Sequence, residues 1–98
     1  GAPKRWTAEI IRQTKNTGIE IQEACELRVI FILPLDKYPT NLPYGPDLDN
    51  LLKRLQDALN ETIFSKVSGK DSCITKLYVE KQKANGRDTG VEIEIYKL

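Results

Sequence analysis

The feature that most constrains the fold is a leucine stripe. Leu48, Leu51, Leu52, Leu55 and Leu59 follow the i, i+3, i+4, i+7 spacing of an amphipathic helix, which predicts a helix within residues 46–60 with one buried side. Gly45 and Pro46 open it with a proline-led turn. Polar residues collect where the helix begins. Asp49 and Lys53 are four apart and so are neighbours on its surface, while Asp47 sits in the turn just before them. Two carboxylates and an ammonium are thereby brought together in a short piece of chain.

The remaining elements fall on either side of that helix. Residues 4–15 read as a helix with Trp6, Ile10 and Ile11 as its apolar stripe and Asn16-Thr17-Gly18 as its stop. Trp6 beside Ile10 reads as a packing residue rather than a base-stacking one. Between residues 19 and 35 the pattern changes to alternation, with Leu27, Val29, Phe31 and Leu33 on one face and Glu26, Arg28, Ile30 and Ile32 on the other. Such a strand is apolar on both faces in its second half, hence central and covered. The proline-rich segment 36–46 is a loop that feeds the helix start, where free N–H groups and the helix dipole favour binding. Tyr44, in that loop, is a candidate to press against a base or sugar.

After the leucine helix, residues 61–70 read as a polar turn or flap. Residues 73–81 alternate in polarity and are rich in β-branched and aromatic side chains, which predicts a strand. Asn85-Gly86 signals a turn, and Val91, Ile93 and Ile95 alternate with Glu92, Glu94 and Tyr96 in a last strand. The last two strands are expected to pair as an antiparallel hairpin with one wet face. Helix, strand, helix, strand, strand gives one α+β domain over residues 1–98, with a small mixed β-sheet packed against helices.

Composition removes several chemistries. The 98 residues include no histidine, which excludes Ser-His and Cys-His catalysis and histidine-ligated zinc. Cys25 and Cys73 form no C-x-x-C, so neither a redox motif nor a zinc ribbon is available. They read as strand-edge or core thiols of an intracellular, cytoplasmic protein. The longest apolar run, Val29 to Leu33, is too short to span a membrane. Fifteen Lys and Arg against fourteen Asp and Glu give a net charge of +1, yet residues 50–83 hold seven basic and four acidic side chains. That stretch is a candidate phosphate-facing side, although a solvated surface accounts for it equally.

Any chemistry must therefore come from carboxylates, lysines, hydroxyls or a metal. Asp47, Asp49 and Asp71 each stand where a loop meets a regular element. If the strand starting near Ser72 runs beside the one ending near Leu35, Asp71 is expected to approach the start of the leucine helix. Three converging carboxylates suit Mg²⁺ or Mn²⁺, which bind through a few carboxylates and substrate phosphate oxygens. Lys53 could then reach a phosphate oxygen or the charge that develops in phosphoryl transfer. The plainer account of the same residues is capping by aspartate and an i,i+4 surface pair, and on pattern alone it is the stronger.

A longer motif bears on that choice. The run Pro46-Asp47-Leu48-Asp49-Asn50-Leu51-Leu52-Lys53, continuing to Asp57-Ala58-Leu59-Asn60, then Asp71-Ser72-Cys73-Ile74 and Lys81 at the following strand's end, closely resembles the RusA family of Holliday-junction resolvases. The resemblance implies a homodimeric, Mg²⁺-dependent endodeoxyribonuclease, with Mn²⁺ as substitute, that resolves four-way junctions or related branched DNA in recombination and repair. Carried over by position, Asp47, Asp49 and Asp71 are metal ligands and Lys53 is a catalytic or phosphate-contacting lysine. Lys53, Lys70, Lys76, Lys81 and Tyr44 are the candidate DNA contacts. The chain departs from the family pattern in opening directly into a helix, where an extra strand is usual, and in having Lys70-Asp71 where paired aspartates are common. Those departures, with the near-neutral charge, motivate an alternative, a non-catalytic nucleic-acid-binding module on the same fold. A plain interaction domain whose aspartates are only caps is a third.

Overall fold

The leucine stripe forms the helix its spacing predicts. The computed structural model describes residues 2–39 and 47–98. In chain order the elements are α1 (Ala2–Asn16), β1 (Cys25–Leu33), α2 (Leu48–Asn60), β2 (Ile74–Lys83) and β3 (Gly90–Lys97), with short 3-10 turns at Leu35–Lys37 and Lys70–Cys73. Among the described residues three strands make one mixed sheet in the order β2-β1-β3, so the architecture is α+β as the residue pattern implies. β1 is parallel to β2 and antiparallel to β3.

β1 is central because its side chains are apolar in both directions. Cys25, Leu27, Val29 and Phe31 are buried on the side that faces the helices, and Ile32 is buried on the other. Leu55, Ala58 and Leu59 of α2 and Ile10 of α1 close over the first group, and Trp6 lies tilted against Phe31 with ring centroids 6.4 Å apart. Trp6 is thus a packing residue. Burial of one such leucine or phenylalanine stabilises the fold by about 1.5–3 kcal/mol. Among the described residues both helices pack on one face, and on the other Ile32 is buried and Ile30 half-buried, as the apolar second half of the strand implies. The other face presents Glu26, Arg28, Tyr78, Glu80, Glu94 and Tyr96, with the Arg28 guanidinium 4.6 Å from the Tyr78 ring centroid.

Two expectations are corrected. The last two strands do not pair with each other, because β1 lies between them. The local turn nevertheless forms: Asn85 and Gly86 have φ of 41° and 88°, and the Arg87 amide donates to the Ala84 carbonyl at 2.8 Å. A β2–β3 hairpin would have left β1, the most apolar strand, at an edge. Residues 61–70 are also not wholly a polar flap, since Thr62, Ile63 and Phe64 are buried. The Phe64 amide closes back on the Leu59 carbonyl at 2.9 Å, and Ile63 O accepts from the Ile21 amide at 2.9 Å. Thr62 Oγ1 lies 2.9 Å from Thr14 Oγ1, so a hydroxyl pair ties α1 to the end of α2. Polar flanking residues concealed a short apolar anchor.

The chain then turns sharply into β2 at Gly69, whose φ is +82°. A Cβ there would run into Ser72 Oγ, a contact that rotation of the serine relieves, so the backbone conformation is the larger cost. Gly69→Ala is expected to lose about 1–2 kcal/mol, which lowers the thermal midpoint by roughly 5 °C or more in a domain of this size. Differential scanning calorimetry of Gly69→Ala and of Gly69→Ala with Ser72→Ala should give nearly the same loss; full rescue by the serine change would show that steric contact dominates.

Candidate functional site

The polarity of the β1-α2-β2 unit decides which site residues can meet. β1 and β2 are parallel, so α2 runs back between them and its first turn lies at the end where both strands finish. At open α/β sheets this is the end where ligands usually bind. Here it carries Asp47, Asp49, Lys53 and, from the last part of β2, Lys81 and Lys83.

Asp47 is the N-cap of α2, and its Oδ1 accepts from the Asn50 amide at 3.3 Å. The capping account is therefore correct for one oxygen of Asp47. The surface-pair account of Asp49 and Lys53 is not: both are exposed, and the ion pairs among the described residues are Arg12–Glu9, Arg28–Glu26, Arg87–Glu92 and Lys97–Glu23. Lys81 is half-buried on the helix side of β2, and its Nζ donates to the Pro39 carbonyl at 3.1 Å, which ties Pro39 to β2. Lys83 Nζ stands 6.0 Å from the Tyr38 ring centroid. Tyr44 lies outside the described residues.

Asp71 is at the other end. Its amide donates to Asn60 Oδ1 at 3.0 Å, beside the last residue of α2. The expected approach of Asp71 to the start of the leucine helix is thereby corrected. The strands do run side by side, but parallel pairing sets Cys25 against Ile74 and so groups the strand beginnings together. The 13 residues of α2 put about 20 Å between Asp71 and the Asp47–Asp49 pair. Among the described residues no three Asp, Glu, Cys or His side chains stand close enough to share a metal ion. Within one chain the carboxylates implied for Mg²⁺ do not fit a common ion.

The lysines divide likewise. Lys70, exposed with φ of 52°, accompanies Asp71. Lys76 is exposed on the helix-free face, paired with Glu26. Only Lys53 and Lys81 join the acidic pair, and Lys83, which sequence reasoning did not single out, joins them through its register opposite Leu33. A cleft of about 150 Å³ between the end of α1 and residues 61–65 is smaller than ordinary ligand pockets and holds none of these groups.

The parallel crossover with an acid-and-lysine helix start defines the class, a small α+β domain that gathers acidic and basic side chains at its strand ends. The endodeoxyribonuclease RusA family model matches residues 3–96. The chain belongs to the RusA endodeoxyribonuclease family. No curated protein and no solved structure gave a match. No helix among the described residues is long and apolar enough to cross a membrane.

The Asp71 end contains one more group that sequence separation hid. Register brings Cys73 beside buried Cys25, and both are free thiols. Burial, and then the neighbouring Cys73, push the Cys25 thiol from its ordinary value near 9 up to about 11. A thiol raised in this way contributes stability below pH 9 that is lost as pH rises through about 11. Unfolding followed by denaturant titration at increasing pH should show that alkaline decline, and in Cys25→Ala, though less stable overall, the decline should be smaller and begin at higher pH, where Tyr78 and Tyr96 lose their protons. An unchanged decline in that variant would place its source elsewhere.

Proposed function

We propose that this protein is a structure-selective endonuclease that nicks branched DNA, resolving Holliday junctions or related intermediates in recombination and repair inside the cell, and that it works as a homodimer with Mg²⁺ or Mn²⁺. Membership of an endodeoxyribonuclease family supplies the class. The observation that carries the site assignment is the gathering of Asp47, Asp49, Lys53 and Lys81 at one end of the domain.

Two carboxylates at a helix start are electrostatically comfortable, because the dipole and free N–H groups favour negative charge there. A phosphodiester brought to the same place is repelled by them. A divalent cation removes that repulsion, and when bound it lowers the pKa of its water. Because Asp71 is a helix length away, one chain supplies only Asp47 and Asp49 to such an ion. The chain's own cations have clearer tasks. Lys53, one turn along α2, is free of ion pairs among the described residues and is the candidate phosphate contact. Lys81 holds Pro39 through its carbonyl and offers its charge to the same approach path. Phosphate contacts of this kind fix register on DNA without reading sequence.

A non-catalytic DNA-binding module on the same fold is the second reading, favoured by Lys70-Asp71 in place of paired acids. Cleavage of a synthetic four-way junction with and without Mg²⁺ separates the two. Asp47→Asn should lower Mg²⁺-dependent nicking by about two orders of magnitude or more, given the several kcal/mol that metal-assisted catalysis supplies. Its thermal midpoint should scarcely move, because asparagine caps a helix about as well as aspartate, whereas Asp47→Ala should also lose about 1 kcal/mol of stability. Full activity in Asp47→Asn would overturn the assignment, and junction binding by the wild-type protein without nicking would favour the binding module.

A further inference from the structure

Two thiols that the proposed chemistry does not use meet where the chain enters β2. We propose that Cys25 and Cys73 are an oxidation site, at which exchange with a small-molecule disulfide such as oxidised glutathione closes a reversible bridge between the start of β1 and the Lys70–Cys73 turn. The inference is independent of the function proposed above and stands whether or not the protein cuts DNA.

The fold brings the pair together from opposite ends of the crossover. Cys25 opens β1 and lies opposite Ile74 in the parallel ladder, so Cys73 stands one residue before the pairing position. Neighbouring strands are about 4.8 Å apart and one residue adds about 3.3 Å along the strand, which sets the two Cα atoms roughly 6 Å apart. A disulfide needs about 4.4–6.8 Å. Thr75 Oγ1 donates to the Cys25 carbonyl at 3.4 Å and holds the register at this point. Direction fits as well as distance. Cys25 is fully buried on the helix side of β1, and Cys73 packs against the same core. Because Cys73 belongs to a 3-10 turn rather than to the strand, the alternation of a strand does not send its side chain away from the core although Ile74 packs there too. The two thiols stand close enough to share a hydrogen bond, and both are free.

Accessibility sets the order of events. Cys73 is half-buried and Cys25 wholly enclosed, so a disulfide in solution meets Cys73 first. The Cys73 sulfur attacks one sulfur of oxidised glutathione, and one glutathione leaves as a thiol with the proton that Cys73 gave up. The Cys25 sulfur then attacks the Cys73 sulfur of the mixed disulfide, and the second glutathione leaves with the Cys25 proton. Two thiols and one disulfide become one disulfide and two thiols, so no other oxidant is needed, and reduced glutathione runs the exchange backwards. The 98 residues hold no third cysteine, which leaves a single intrachain pairing. The bridge closes a loop of about 50 residues that contains β1, α2 and the turn carrying Asp71. In a reducing compartment the pair rests as thiols and answers only to a shift in the glutathione balance.

Equilibration of the full chain with mixtures of reduced and oxidised glutathione, followed by alkylation and mass spectrometry, tests the assignment. Native protein should lose two hydrogen atoms in mass, keep no thiol open to alkylation, and yield on digestion one peptide pair joined through Cys25 and Cys73; dithiothreitol should restore both thiols. The oxidised chain should melt about 5 °C or more above the reduced one, since loop closure restricts the unfolded state. The same series in guanidinium gives the pairing tendency of the unfolded chain. Half-oxidation of the native protein should need a proportion of oxidised glutathione at least tenfold lower than that; if the two coincide, the fold contributes nothing to the pair and the proposal falls. Cys25→Ala removes the second attacking thiol, so glutathione should remain attached at Cys73. Cys73→Ser, which alters a half-buried side chain and keeps the proposal testable if Cys25→Ala does not fold, should leave Cys25 reduced. A native wild-type chain that stays reduced, accumulates glutathione on Cys73 or links to a second chain overturns the site.

Discussion

The parallel ladder between β1 and β2 governs the rest of the molecule. Parallel neighbours cannot be joined by a tight turn, so the chain needs a long crossover, and α2 with the segments flanking it provides one. That helix has to lie across the apolar side of β1, which is why Leu55 and Leu59 are fully buried while Asp49, Lys53 and Arg54 point outward. The same constraint sorts the polar groups. Whatever precedes α2 is delivered to the strand ends, and whatever precedes β2 is delivered to the strand beginnings. Asp47 and Asp71 are separated by topology rather than by any local preference.

β1 can hold this position because both of its neighbours protect it. β2 on one side and β3 on the other satisfy its backbone, and Val91, Ile93 and Ile95 extend the apolar layer beneath α1 and α2. On the opposite face a set of charged and aromatic side chains replaces a second helical layer, with Arg28 bound to Glu26 at 3.1 Å and stacked on Tyr78. Exposed pairs of this kind add little stability each. Their effect is to keep a half-apolar sheet face soluble.

Much of this was legible in the residues and some could not be. The leucine spacing, the Asp47 cap, the Asn16-Thr17-Gly18 stop and the alternation of β3 are local patterns, and local physical chemistry carried them through. Strand partners are not local. Asn85 and Gly86 specify a reversal and the chain does reverse, but which strand fills the space between β2 and β3 depends on where β1 gains most from being enclosed. Ile63 and Phe64 were obscured by the serines and lysines after them, since two apolar residues make no period. The error over Asp71 came from the same source: adjacency of two strands was foreseen, whereas its consequence depends on their relative direction. Cys25 and Cys73, far apart in sequence, became neighbours for that reason as well.

Direction also changes what each aspartate signifies. Asp47 and Asp49 sit where the dipole of α2 stabilises negative charge by about 0.3–1 kcal/mol each, so folding alone would retain them in a chain that had lost every activity. Asp71 has no such reward. It adjoins the C-terminal end of α2, where the same dipole disfavours a carboxylate, and its hydrogen bond to Asn60 is made by the backbone amide, which any residue but proline would supply. Among the described residues its carboxylate has no hydrogen-bond or ion-pair partner. The helix start therefore accounts for Asp47 and Asp49 by local electrostatics, whereas nothing among the described residues accounts for Asp71 in the same way.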